Sequence, residues 1–177
     1  MYKPKGDTHV SKLEIERKYI IERPDVKLLS AMPDYTASKI TQIYLSSPMG
    51  VTHRIRRREY ADACDYTETV KIRLDKMTCN ESEQGITPSR FDELALNIKE
   101  GTRPIIKTRY TFSFEGFTVE IDVYPEWENT AIMEIELDRE DVTPAIPPFI
   151  RILREVTGIR EYSNAAFSHS FPEEDHL

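Results

Sequence analysis

Like charges recur two positions apart at six places in this sequence, on either side of a single intervening residue. The pairs are Glu14 and Glu16, Arg54 and Arg56, Lys71 and Arg73, Lys107 and Arg109, Glu120 and Asp122, and Glu134 and Glu136. The intervening residue is isoleucine in every pair except the fourth, where it is Thr108. Because side chains alternate between the two faces of a β-strand, this spacing predicts strands with one charged face and one apolar face.

The period-two alternation predicts a mainly β protein with a few helices. The expected strands are residues 12–21, 38–45, 52–58, 68–74, 105–114, 117–124 and 131–137, with a further strand within 81–87. Glu115-Gly116 can form the tight turn of an antiparallel hairpin. Helices are expected at 24–32, at 89–99 with Ser89 as N-cap, at 147–157 ending at Gly158, and briefly after Ser163 or Asn164. The stretches EYADACDY and TCNESEQG are typical of loops.

The grouping of charge by sign suggests a ligand. A solvent-exposed sheet face explains any one strand, but like charges on one face repel, and ordinary protein surfaces mix the two signs. Clustered carboxylates suit a hard divalent cation, which prefers oxygen ligands, and clustered lysines and arginines suit phosphate oxygens. A metal ion together with a polyphosphate would satisfy both groups. The charged faces would then line a cavity, and the helices, above all 147–157, would cover the apolar faces.

Composition excludes several other classes of protein. The chain has 177 residues and a formal net charge of −7, which argues against broad attraction to nucleic acid or to an anionic membrane. It lacks an apolar run of about 18 residues and a signal peptide, so a cytoplasmic location is expected. Cys64 and Cys79 have neither the spacing nor the histidine partners of a zinc site. We expect one domain at 12–170, with an arm at 1–11 and a tail at 171–177, and a homodimer if apolar strand faces stay uncovered.

An E-x-E-x-K motif on the first strand, Glu14 to Lys18, is followed by a characteristic series of further motifs. The series is Gln42-Ile43-Tyr44-Leu45, Arg54-x-Arg56, Lys71, Lys107-x-Arg109, Glu120-x-Asp122, Glu134-x-Glu136, and Val156-Thr157-Gly158 leading to Tyr162-Ser163-Asn164. From about residue 12 to 167, this order resembles the CYTH superfamily of triphosphate tunnel metalloenzymes, in particular the short bacterial inorganic triphosphatases. The resemblance implies an α+β, mainly β fold: a closed eight-stranded antiparallel barrel with a charged lumen and a few flanking helices.

The resemblance also implies a site. The expected metal ligands are Glu14, Glu16, Glu120, Asp122, Glu134 and Glu136, and the expected cofactor is Mg²⁺ or Mn²⁺. The expected phosphate contacts are Lys18, Arg54, Arg56, Lys71, Lys107 and Arg109, with Arg73 added from the pattern alone and Arg154 placed at the tunnel mouth. Lys18, Arg56, Lys71 and Asp122 are the expected catalytic residues. Tyr162 and Asn164 match the family ending and are interpreted as structural caps.

The implied activity is metal-dependent hydrolysis of a small-molecule triphosphate, in the first place inorganic tripolyphosphate to pyrophosphate and phosphate. A metal-bound water would attack the terminal phosphorus, so no nucleophilic side chain is required, and none of the four histidines is assigned a role. Alternatives in the same pocket are a class IV-type adenylyl cyclase and a thiamine triphosphatase. An alternative of another class is a non-catalytic polyphosphate- or nucleotide-binding module.

Overall fold

The computed structural model describes residues 15–73, 79–139 and 141–174, and at 73 and 79–81 it describes the backbone alone. Within these residues there are nine strands: β1 (Ile15–Glu22), β2 (Thr36–Leu45), β3 (Val51–Glu59), β4 (Cys64–Arg73), β5 (Cys79–Gly85), β6 (Ile105–Phe114), β7 (Phe117–Val123), β8 (Thr130–Leu137) and β9 (Ile152–Glu155). The helices are α1 (Val26–Ser30), α2 (Pro88–Ala95) and α3 (Asn164–Phe167), with a 3₁₀ turn at Arg160–Tyr162. The mainly β prediction is therefore confirmed.

Backbone hydrogen bonds join the nine strands into one antiparallel sheet in the order β5-β4-β3-β2-β6-β7-β8-β1-β9. Among the described residues, no hydrogen bonds between β5 and β9 close this sheet. The strand count is nine where eight were expected, because residues 152–155 form an additional strand. The chain divides into two compact units: unit 1 contains Ile40–Ile105, and unit 2 contains residues 15–39 and the described residues from 106 to 174.

The predicted helix at 147–157 is wrong. Two successive prolines, Pro147 and Pro148, open this segment, and the residue before a proline is biased away from the helical conformation. The Ile150 N–H donates to the Pro147 carbonyl in a single turn, and β9 then pairs antiparallel with β1. Because β1 offers a hydrogen-bonding edge and the segment is rich in β-branched residues, sheet pairing overrides the helical spacing of its apolar residues.

Local signals explain the helices that do form. Asp25 Oδ1 accepts from the Lys27 N–H at 2.9 Å and begins α1. Thr87, rather than the expected Ser89, caps α2 by accepting from the Arg90 N–H at 3.2 Å, with Pro88 in the first turn. Ser163 caps α3, so the short helix predicted near this point is confirmed.

The hairpin predicted at Glu115-Gly116 is also confirmed, because both residues have positive φ, 46° and 83°, as a tight two-residue turn between twisted strands requires. The loop expected in EYADACDY ends earlier than predicted, since β4 already begins at Cys64. Likewise, β5 takes up most of TCNESEQG from Cys79 onwards.

Each unit buries the apolar faces of its own strands. In unit 2, Ile21, Phe112, Ile121, Met133 and Ile135 are buried together with Leu29 of α1 and Ile150 of the irregular segment after β8. Thus an irregular segment covers the sheet where the third helix was expected. In unit 1, Ile43, Leu45 and Ile55 pack against Phe91 and Leu94 of α2. Among the described residues, no helix is long and apolar enough to cross a membrane.

Candidate active site

The charged positions of β1, β6, β7 and β8 lie on one face of unit 2, opposite the apolar core. The charged face of unit 2 comprises Glu16, Lys18, Lys107, Arg109, Glu120, Asp122, Glu134 and Glu136. The strand register places Lys18 opposite Glu134 and Glu16 opposite Glu136. It also places Arg109 opposite Asp122. Cations therefore face carboxylates at two of these positions, whereas carboxylates face each other at Glu16–Glu136 and at Glu120–Glu134.

Arg109 is the centre of this face. Its Nε and Nη2 donate to the two oxygens of Asp122, each at 2.6 Å, which is the bidentate geometry of a strong pair. Nη2 also donates to Glu134 Oε2 at 2.8 Å, and Nη1 donates to Glu120. Burial would lower the pKa of Arg109, but the Asp122 carboxylate and the two glutamates raise it well above its usual value. Arg109 therefore stays charged and joins three carboxylates from two strands.

Lys18 connects β1 to the same cluster. Its Nζ lies 2.8 Å from Glu134 Oε1 and 3.2 Å from Glu16 Oε1. Burial would lower the pKa of Lys18, but Glu134 and Glu16 raise it above its usual value. For Glu134, burial and the nearby Asp122 would raise the pKa, whereas Arg109 and Lys18 hold it below its usual value. The pair is ionised on both sides at neutral pH.

Lys107 and Asp122 form the most buried ion pair of this face. Both side chains are 1% exposed, and Lys107 Nζ lies 2.5 Å from Asp122 Oδ2. Burial alone would raise the pKa of Asp122, but Arg109 and Lys107 hold it far below its usual range. Removal of either partner would leave the other charge buried without its counter-charge, which is costly.

The carboxylates fit a divalent cation in donor type and in total charge. Five carboxylates share the face with three cations, so an excess of two negative charges remains, and carboxylate oxygens are the ligands that Mg²⁺ and Mn²⁺ prefer. Both oxygens of Glu134 and of Asp122 are engaged by cationic side chains. Within the described part of the chain, no three acidic, histidine or cysteine side chains converge as metal ligands.

Unit 1 carries a second charged surface, of different composition. The basic face of unit 1 comprises Arg54, Arg56, Arg58 and Lys71 together with Thr52, Thr67, Thr69 and one carboxylate, Asp65, which lies opposite Arg58. Between β3 and β4, Arg54 lies opposite Thr69, Arg56 opposite Thr67, and Lys71 opposite Thr52. Across the β3–β4 ladder, each phosphate-contacting cation predicted on these two strands, apart from Arg73, thus faces a neutral hydroxyl, and on the β5 side Lys71 lies opposite Glu81.

Gln42 of β2 orients Arg56. The Gln42 amide oxygen accepts from Arg56 Nε at 3.3 Å and from Nη2 at 3.1 Å, and its amide nitrogen donates to the Tyr44 hydroxyl at 2.9 Å. Gln42 is fully buried, so its own position is fixed by packing and by Tyr44. A cavity of about 200 Å³ adjoins Arg56 and is lined also by Arg58, Tyr60, Asp65, Thr67 and Glu83.

Three predicted site residues need separate comment. Glu14 lies outside the described residues, and at Arg73 only the backbone is described. Arg154, expected on a helix, lies on β9, where its guanidinium donates to the Tyr162 hydroxyl and stacks on the Tyr162 ring at 5.1 Å. Tyr162, interpreted from the sequence as a structural cap, therefore contacts a predicted phosphate-binding residue directly.

Comparison with known proteins decides the family. No protein-family model matches the chain. An inorganic triphosphatase from Acetivibrio thermocellus is 46% identical over 154 residues, which cover 86% of this chain and 90% of the relative. The chain belongs to the inorganic triphosphatase family. This membership confirms the resemblance indicated by the sequence motifs.

Solved structures agree with the assignment to the inorganic triphosphatase family. The crystal structure of the inorganic triphosphatase NE1496 has 28% sequence identity and a TM-score of 0.59, covering 93% of this chain and 99% of that one. A conserved hypothetical protein from Pyrococcus furiosus, at 22% identity and a TM-score of 0.52, shares the fold over 72% of this chain and 80% of its own.

Sequence reasoning missed two kinds of residue in this triphosphatase-family site. Gln42 belongs to the motif Gln42-Ile43-Tyr44-Leu45 and has no predicted role, although an amide among apolar residues on a strand is a signal for a buried hydrogen-bonding partner. Glu83 falls within the strand predicted at 81–87 and has no predicted role, yet it accepts from the Thr69 hydroxyl at 2.7 Å and lines the cavity beside Arg56. The sequence offers no pattern that would predict this second contact.

Proposed function

We propose that this chain hydrolyses inorganic tripolyphosphate to pyrophosphate and phosphate. The observation that carries the proposal is the 46% identity to an inorganic triphosphatase over most of both chains. The charged faces of the two units support it, because a triphosphate needs several cationic hydrogen-bond donors and a divalent cation needs carboxylates. Membership alone does not choose among triphosphates, so the substrate is part of the proposal.

The cations divide into two groups by their present partners. On the basic face of unit 1, we assign phosphate binding to Arg54, Arg56 and Lys71, and we extend it to Arg73 from the sequence pattern. On the charged face of unit 2, Lys18 and Arg109 would exchange a carboxylate oxygen of Glu134 for a phosphate oxygen, so that one anionic oxygen acceptor replaces another. We assign Lys107 and Arg154 as secondary phosphate contacts. Lys107 is buried against Asp122, and Arg154 is bound to the Tyr162 hydroxyl.

The same exchange would release carboxylates for a metal. Once Lys18 and Arg109 turn to phosphate, Glu134 joins Glu16 and Glu136, which lie opposite each other on β1 and β8. Glu14 belongs to this proposed set by sequence, and Glu120 and Asp122 form a second acidic pair. A bound Mg²⁺ or Mn²⁺ would neutralise phosphate oxygens and lower the pKa of a bound water towards neutrality. No side-chain nucleophile is assigned, so Lys18, Arg56, Lys71 and Asp122 act by binding and orienting the reactants.

Several finer predictions accompany this proposal. Closure of the sheet into an eight-stranded tunnel follows from the resemblance and stays a prediction. The division into an arm, one domain and a tail, the cytoplasmic location and the possible homodimer also stay predictions. None of them is needed for the test of the activity.

The experiment is phosphate release from tripolyphosphate, ATP and thiamine triphosphate, each with Mg²⁺, with Mn²⁺ and with EDTA. We expect metal-dependent release from tripolyphosphate and much slower release from the two organic triphosphates. The double variant Glu16→Gln, Glu136→Gln should lose this activity and keep its fold, because it removes acceptors that repel each other in the absence of a cation. The matched control is Glu100→Gln, an exposed carboxylate of unit 1.

Each other outcome assigns a different function. Fast release from thiamine triphosphate alone would overturn the choice of substrate. Formation of a cyclic nucleotide from ATP would favour the cyclase. Binding of tripolyphosphate without turnover in any metal would favour a non-catalytic module, and full activity in the double variant would overturn the metal ligands.

A further inference from the structure

The last described residues of the chain pack beside the end of β7 in unit 2. Helix α3 supplies Asn164 and Phe167, and the segment after it supplies Phe171, Pro172 and Glu174. We call residues 168–174 the C-terminal strap. Its contacts involve the loop from Tyr124 to Asn129 and the first residue of β8, which are not part of the site assigned above.

Glu174 fastens this strap. Its carboxylate accepts three successive backbone N–H groups, from Glu128 at 3.1 Å, Asn129 at 2.5 Å and Thr130 at 2.7 Å, and the Thr130 hydroxyl at 2.9 Å. Loss of solvent would raise the pKa of Glu174, but the backbone N–H groups of Asn129 and Glu128 hold it below its usual value. Charge-assisted bonds of this kind are about twice as strong as neutral ones, so Glu174 is the main attachment of the strap.

Aromatic rings connect the attachment to Tyr124. Phe171 stacks on Phe167 with ring centroids 4.5 Å apart, and both rings meet Tyr124 edge-on at 5.3 and 5.2 Å. Trp127 meets the same rings and donates its indole N–H to the Pro172 carbonyl at 3.2 Å. Edge-to-face pairs of this kind have preferred geometries, so the position of Tyr124 depends on the position of Phe171.

Tyr124 in turn contacts a predicted phosphate-binding residue. The Lys107 ammonium lies over its ring at 5.8 Å from the centroid, within the range of a cation–π contact. The Tyr124 hydroxyl donates to Asn164 Oδ1 at 2.9 Å, which fixes the plane of the ring. Lys107 and Tyr124 are both 1% exposed. The strap therefore supports the aromatic wall against which the buried lysine lies.

We infer that Glu174 is a positioning residue for Lys107. It holds the C-terminal strap so that Phe171 and Tyr124 exclude water from the Lys107 ammonium and keep it directed at Asp122. The role of Lys107 towards phosphate rests on the proposed function, whereas its protection from solvent does not. Release of the strap should admit water to the ammonium and loosen its direction without removing any group that contacts the substrate.

The test uses the full chain and two readouts. Acetylation of Lys107 by a small acetylating reagent, measured by mass spectrometry of peptides, reports its accessibility. We expect Glu174→Ala to raise the rate of acetylation at Lys107 at least tenfold, and Glu174→Gln to raise it less. The matched control Glu173→Ala removes the neighbouring exposed carboxylate and should leave the rate unchanged. Lysines elsewhere, such as Lys39, provide the internal reference.

Steady-state kinetics on tripolyphosphate give the second readout. We expect Glu174→Ala to raise KM several-fold with a smaller change in kcat, because binding geometry is lost before chemistry. Unchanged acetylation of Lys107 in folded Glu174→Ala, or equal acetylation in Glu173→Ala, overturns the positioning role. If tripolyphosphate is not hydrolysed by the unchanged protein but Lys107 is deprotected in Glu174→Ala, the positioning stands and the proposed function fails.

Discussion

The two charged surfaces of this protein place their cations opposite different partners. On the charged face of unit 2, the residue opposite Lys18 is Glu134, and the residue opposite Arg109 is Asp122. On the basic face of unit 1, the residues opposite Arg54 and Arg56 are threonines. The same sequence pattern, two like charges around one residue, thus places a carboxylate directly across the strand pair in one unit and a threonine in the other.

Because of this difference, we expect the charged residues of the two units to affect different properties of the protein, folding stability and ligand affinity. When one partner of a buried ion pair is removed, the other charge stays buried without its counter-charge, and the folded state is strongly destabilised. When Arg54 or Arg56 is removed, the residue left across the β3–β4 ladder is a neutral threonine and not a charge. We therefore expect changes to the buried ion pairs of unit 2 to affect folding first, and changes to Arg54 or Arg56 in unit 1 to affect the affinity for an anionic ligand first.

The largest expected effect is on stability in unit 2. Asp122→Ala leaves Lys107 and Arg109 buried without the carboxylate that both contact, and should lower the free energy of unfolding by about 3–5 kcal/mol. Arg56→Ala removes the hydrogen bonds to the Gln42 amide and should lower it by about 1 kcal/mol. Urea denaturation followed by circular dichroism measures both. Equal losses of unfolding free energy in the two variants would contradict the proposed difference between the two units.

The second effect is on affinity in unit 1. Arg56→Ala should raise the KM for tripolyphosphate roughly 10- to 150-fold, the equivalent of about 1.5–3 kcal/mol for a hydrogen bond to a charged group. Arg57→Ala is the matched control, because Arg57 is the next residue of β3, lies on the opposite face and pairs with Glu59. A similar KM for the two variants would show that the basic face does not bind the substrate.

The third effect is a pH dependence that belongs to unit 2. Asp122 and Glu134 have lowered pKa values in the folded protein, so below about pH 4, the unfolded carboxyl value, the unfolded chain binds more protons. Stability is therefore fully present above pH 4 and is lost as the pH falls towards the lowered values, by about 1.4 kcal/mol per pH unit for each proton. Asp122→Asn should flatten this slope in urea titrations between about pH 4 and 2. An unchanged slope would contradict the assignment.

The smallest effect concerns the threonine side of the basic face. Thr69→Val keeps the shape of the side chain and removes the hydrogen bond to Glu83, an exposed carboxylate. Since the released carboxylate can be solvated, the free energy of unfolding should fall by no more than about 1 kcal/mol. A loss as large as that of Asp122→Ala would mean that unit 1 also depends on its cross-strand partners.

Period-two patterning predicted most of this fold because it reports directly on which side chains share a face. The strands around Ile55, Ile121 and Ile135 have their isoleucines buried and their charges on the other face, as the spacing indicates. The same pattern places the predicted site residues on these charged faces, and their roles in binding and catalysis stay a prediction.

Long-range pairing was not predictable in the same way. The apolar residues of 149–156 have helical spacing, and the pairing of residues 152–155 with the hydrogen-bonding edge of β1 is a long-range contact that this spacing does not show. The ion pairs of Arg109 depend on the register between β6 and β7, which a hairpin turn can suggest, but the contact with Glu134 depends on a third strand. The attachment of Glu174 has no local pattern at all, since its three donors are ordinary backbone groups.

The hairpin closed by Glu115-Gly116 also has a kinetic consequence. A two-residue turn with both φ angles positive brings β6 and β7 together through local contacts, on a timescale of about 1–10 μs for an isolated hairpin. The pair of Arg109 and Asp122 is 13 residues apart along the chain, whereas Lys18 and Glu134 are 116 residues apart. During folding, the charge cluster is therefore expected to assemble around the hairpin and to receive β1 last, so that the first strand of the motif is the last to join the site.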